Sequence, residues 1–118
     1  MMTEITYEPG ALKISMEGHA GAGEYGKDTV CAALSILAQT LERRLTDDAE
    51  LFLPAVEKEP GRMSIFCRAG EESEERCREI FDTVFAGFLL LAENYPQFVN
   101  TRVTGETESR EREDYFNE

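Results

Sequence analysis

Two stretches of this chain repeat one pattern, and that pattern constrains the fold more than any other feature. In residues 3–17, Ile5 and Tyr7, then Leu12, Ile14 and Met16, alternate with polar residues on either side of Glu8-Pro9-Gly10-Ala11. Alternation with a period of two is the mark of a half-buried strand, and Pro followed by Gly predicts a type II turn, so the stretch reads as a hairpin. Leu51–Glu57 and Arg62–Arg68 repeat the logic around Lys58-Glu59-Pro60-Gly61. In the last of these strands Met63, Ile65 and Cys67 face one way while Ser64 and Phe66 face the other. Pro54 cannot donate to a ladder, which places its strand at a sheet edge.

Each hairpin is followed by a helical stripe. Val30, Leu34, Leu37, Leu41 and Leu45 recur at the spacing of one helix face, behind Asp28 as a candidate cap that puts Cys31 at the third helical position. Cys77, Ile80, Phe81, Val84, Phe88, Leu91 and Tyr95 make a second stripe, which Pro96 ends. Ser73 is its candidate cap, and the acids between Glu71 and Glu75 suit the positive end of its dipole. Phe98–Thr104 reads as a last strand. The order ββαββαβ predicts an α+β fold, a two-layer sandwich in which a mixed, mostly antiparallel sheet carries both helices on one face. Residues 1–104 form one domain in this reading. Residues 105–118 are polar, acidic and aperiodic, and are expected to be a flexible tail.

Charge narrows the partners. The chain has twice as many acids as bases and a formal net charge of −12, so it would repel a phosphate backbone and attract a basic partner; direct nucleic-acid binding is not expected. The longest apolar run, Phe85–Ala92, is too short to cross a bilayer, and the first residues show no basic region followed by an apolar one. No membrane association is expected, and the expected location is cytoplasmic. The three cysteines are an odd count, which fits reduced thiols better than a disulfide framework. Cys67, on the inward side of a strand, and Cys77, on a helix stripe, read as small core residues.

The segment between the first hairpin and the first helix differs in kind. Residues 18–26 include four glycines and begin Gly18-His19-Ala20, with the only histidine in the chain. The segment runs into the helix that carries Cys31, which lies about 100° around from Val30 at the margin of the apolar stripe. Free N–H groups and partial positive charge at a helix start favour an anionic sulfur. A cysteine nucleophile needs a neighbouring imidazole that first holds the thiolate and then protonates the leaving amine, so His19 and Cys31 are a candidate dyad. Asp28 is a candidate to orient His19, in competition with the cap role. Zinc binding is disfavoured because His19 and the cysteines are scattered with no Cys-x-x-Cys pair; no metal or cofactor is expected. A phosphate cradle is disfavoured too: the Lys-Ser/Thr ending is missing and Glu24 lies within the loop.

Gly18-His19-Ala20, a short glycine-containing loop, and Gly26-Lys27-Asp28-Thr29-Val30-Cys31-Ala32-Ala33-Leu34-Ser35 together resemble the signature of the ribosomal-processing cysteine protease family, Prp. The ββαββαβ order over residues 3–104 is similar to that family's fold. The resemblance implies His19 as base and Cys31 as nucleophile, with Gly18, Asp28 and Ser35 in support. It further implies a cytoplasmic homodimeric endopeptidase that removes the N-terminal extension of large ribosomal subunit protein twenty-seven. The family cuts after an aromatic-rich motif ending in Ala, and the loop is expected to close over bound peptide. The alternative reading is a non-catalytic module that binds a ribosomal protein during ribosome assembly. A thiol-redox protein is a third, but it needs a resolving partner for Cys31 that neither Cys67 nor Cys77 supplies.

Overall fold

A computed structural model describes residues 2–18 and 27–105, with Lys27 and Asp28 described by their backbone alone. The elements are β1 (Thr3–Glu8), β2 (Lys13–Glu17), α1 (Lys27–Asp47), α2 (Ala49–Phe52), β3 (Ala55–Glu59), β4 (Arg62–Phe66), α3 (Glu71–Asn94) and β5 (Val99–Val103). The strands form one sheet in the order β3-β4-β2-β1-β5. All neighbours are antiparallel except β1 and β5, which run parallel. The expected mixed, mostly antiparallel sheet is therefore present.

Register explains why one face is covered. Tyr7 pairs with Ile14 and Ile14 with Ile65, while Thr3 pairs with Val99, so these side chains share one face of the pleat. All of them are buried, and all but Thr3 belong to one cluster with Val30, Leu34, Leu41 and Leu45 of α1 and Cys77, Phe81, Val84 and Phe88 of α3. Both helices thus lie on that face. The other carries Glu4, Thr6, Ser15, Asn100 and Arg102, and is polar. Among the described residues no helix is long and apolar enough to cross a membrane.

The two hairpins turn differently. Pro60 and Gly61 close the Glu59–Arg62 pair with Gly61 at φ +74°, the conformation of a type II turn. The first hairpin departs from that expectation. Pro9–Ala11 form a turn of 3-10 helix, and the positive φ falls on Leu12 (φ 52°) instead of Gly10. Four residues separate the Glu8–Lys13 pair, too many for a two-residue turn. A left-handed leucine costs roughly 1–2 kcal/mol. Burial of the Leu12 side chain (5% exposed) and the bond from the Cys67 N–H to its carbonyl at 3.2 Å oppose that cost.

Three further expectations are corrected. Leu51 and Phe52 belong to the one-turn α2 and not to a strand, because Phe52 turns into the core and is fully buried. Two guanidiniums, Arg44 at 5.7 Å and Arg76 at 6.0 Å, lie over its ring. The edge strand starts only after Pro54, as the missing N–H requires. Next, α3 begins at Glu71 with Gly70 at the cap; Ser73 lies inside the first turn and its N–H bonds the Gly70 carbonyl at 3.0 Å. Last, α1 begins at Lys27, so Asp28 is its second residue rather than its cap and Cys31 its fifth rather than its third. Cys67 and Cys77 are core residues as expected, but their sulfurs meet as a disulfide pair, which also corrects the expectation of reduced thiols and leaves Cys31 as the free cysteine of the described residues.

Candidate active site

The first turns of α1 lie over the end of the sheet where β2 leaves and the β3–β4 hairpin turns. A cleft of about 300 Å³ opens there, lined by Cys31, Leu34 and Ser35 from α1, Met16 and Gly18 from the end of β2, Gly61 and Met63 from the hairpin, and Thr3. Cys31 is half-buried and is the free cysteine of the described residues. Its position at the margin of the apolar stripe puts it in the cleft wall while Val30 and Leu34, at 2% and 4% exposure, hold the helix to the core. Ser35, one turn further on, is exposed and lines the same cleft.

Gly18 anchors the root of the glycine-rich segment. Its N–H donates to the Gly61 carbonyl at 2.8 Å, tying the end of β2 to the tip of the β3–β4 hairpin. Its φ is +128°, and a Cβ there would press on the Met2 carbonyl oxygen and stand 3.0 Å from Thr3 Cα. Only glycine meets both conditions.

Of the five candidate residues, Cys31, Gly18 and Ser35 therefore meet at one cleft. His19 lies outside the described residues, as does the Asp28 side chain, though the backbone puts Asp28 in the turn that precedes Cys31. Sequence reasoning missed the cleft floor. Met16 and Met63 form it because they are cross-strand partners on the helix-covered face. Strand alternation could have put each on an inward face, but only the pairing of β2 with β4 sets them side by side. Among the described residues no group of three or more His, Cys, Asp or Glu could hold a metal ion.

A half-exposed thiol at an open, largely apolar cleft, early in a helix whose remaining length is pinned to a core, is an arrangement that can present sulfur to an extended peptide. Comparison with known proteins agrees with that chemistry. SMU.848 from Streptococcus mutans is 28% identical and superposes with a TM-score of 0.65, over 87% of this chain and 92% of that one. The essential ribosomal processing protease Prp from S. aureus, solved with a substrate peptide, is 20% identical with a TM-score of 0.68, over 87% and 98%. The same protease with a covalently linked product peptide gives 20% and 0.67 over the same shares, and at this identity both S. aureus structures show the shared fold. No curated protein matches. The family model described as cysteine protease Prp matches residues 2–100, so the chain belongs to that family and is a cysteine protease.

Proposed function

We propose that this protease is a ribosomal-protein processing endopeptidase. It removes the N-terminal extension of large ribosomal subunit protein twenty-seven, with Cys31 as nucleophile and His19 as base. The observation that carries this reading is the position of Cys31 in the wall of the cleft, on a fold shared with a ribosomal processing protease that holds a substrate peptide. The Cys31 thiolate attacks the scissile carbonyl carbon. The C–N bond then breaks as the His19 imidazolium gives its proton to the leaving amine. The peptide remains on sulfur as a thioester until water, deprotonated by His19, releases it as a carboxylate. Backbone N–H groups at the start of α1 are suited to hold the oxyanion of each tetrahedral intermediate. Gly18 fixes the root of the segment that carries His19, and Ser35 and Asp28 support the dyad.

The net charge of −12 favours encounter with a basic ribosomal protein. The reading includes a cytoplasmic location, residues 1–104 as the working domain with 105–118 as its tail, and action as a homodimer. The test uses a peptide that spans the extension and the first residues of the mature ribosomal protein. Cleavage is expected at one bond, and Cys31→Ala and His19→Ala are each expected to lower turnover by roughly a thousandfold or more while still binding peptide. Undiminished turnover in Cys31→Ala would overturn the assignment. Binding without cleavage by the unaltered protein would favour the non-catalytic module.

A further inference from the structure

The cleft beside Cys31 contains one charge whose placement the proposed cleavage does not use. Across the sheet, Ile5 pairs with Met16, Met16 with Met63, and Met63 with Lys58, so the four side chains form a row on the helix-covered face. Burial falls along the row, from Ile5 at the core, through the half-buried methionines of the cleft floor, to exposed Lys58 on the edge strand β3. Glu59 and Arg62 also border the cleft, but they pair with each other across the hairpin and alternate to the opposite face. Of the described residues around the cleft, Lys58 is thus the one charged residue on the floor's own face. It forms no ion pair with any described residue.

We infer that Lys58 is a specificity-determining residue that reads substrate charge at one position, rejecting a cationic side chain there. The inference rests on the peptide-processing reading of the same cleft. It also resolves a tension within it. A molecule carrying −12 attracts every basic segment of a basic partner, so long-range attraction cannot select which segment enters. A single ammonium at the end of an apolar floor can. The methionines accept an uncharged segment, and like-charge repulsion turns a lysine or arginine away from the β3 end. Cationic segments of the partner are thereby kept from the β3 end of the cleft, and an uncharged segment can occupy it.

The test is a position scan. Each residue of the extension peptide in turn is made Glu, Gln or Lys, and kcat/KM is measured with the unaltered protein, Lys58→Gln and Lys58→Glu. At one position the Lys peptide is expected to be cleaved about two- to fivefold more slowly than the Gln peptide, the size of an exposed charge pair. Lys58→Gln should erase that difference and Lys58→Glu reverse it, and about 0.5 M salt should flatten all three. The same peptides titrated against Cys31→Ala give the preference as Kd. If the preference holds in binding while nothing is cleaved, the processing reading fails and the charge filter stands. If Lys58→Glu changes every position equally, or none, or if no peptide binds, the inference is overturned.

Discussion

At the scale of single residues, the site depends on one side chain and one missing side chain. Cys31 reaches the cleft because it lies beside the apolar stripe and not in it, an angular relation that 3.6 residues per turn makes legible in the sequence itself. Gly18 enters from the sequence only as a supporting residue that the family resemblance implies. What it approaches, the Met2 carbonyl and the tip of a distant hairpin, is not legible there, since both contacts join segments that periodicity cannot relate. Gly18→Ala should therefore act on two levels. Positive φ and the clash with Met2 are expected to cost roughly 1–3 kcal/mol, measured as a lower Tm. Peptide turnover should fall further than that loss explains when assayed well below Tm, because the root of the His19 segment moves. Turnover equal to that of the unaltered protein would exclude a positioning role for Gly18.

At the scale of elements, α3 is held to the sheet by packing and by polar ties, among them the bond from Arg78 Nε to the Pro9 carbonyl at 3.3 Å. Tyr7, 2% exposed, donates its hydroxyl to Asp82 Oδ1 at 2.5 Å, and its ring lies 4.9 Å from that of Phe85 and 6.3 Å from that of Phe81. Tyr7→Phe keeps the ring contacts and removes the bond, leaving Asp82 without this donor at the helix–sheet boundary. The expected loss is about 1–2 kcal/mol in denaturant unfolding with an unchanged m-value. An unchanged midpoint would show that the Tyr7–Asp82 bond contributes nothing. The element boundaries that departed from expectation share one cause. Phe52 and Leu12 each satisfy the core by leaving the regular path, Phe52 through the one-turn α2 and Leu12 through a left-handed backbone. Local propensity could not report either, because the gain comes from partners far along the chain.

At the scale of the whole molecule, charge and shape bear on the proposed homodimer. Two chains at −12 repel except across an uncharged face. The groove between α1 and α3 is such a face: about 620 Å³, lined by Ala32, Ala33, Ile36, Leu37, Gly87 and Leu90 among others, with Ile36 61% and Leu90 59% exposed. The proposed homodimer is expected to use it. Sedimentation should give a dimer mass for the unaltered protein and a monomer mass for Ile36→Asp combined with Leu90→Asp, whose exposed positions leave the fold intact. A monomer at tens of micromolar for the unaltered protein would remove the homodimer from the reading.

Sequence alone was enough for the two amphipathic helices, the paired hairpins, the last strand and the placement of Cys31 just off an apolar stripe. All of these follow from backbone periodicity, which acts over a few residues, while turn chemistry holds at Pro60-Gly61 and fails at Pro9-Gly10. Strand order and register needed the tertiary structure, and with them the row from Ile5 to Lys58, the methionine floor under Cys31 and the Gly18–Gly61 tie. Pairing between strands is chosen by the burial of whole faces at once, so residues such as Met16 and Met63, far apart along the chain, become neighbours for reasons that neither stretch contains by itself.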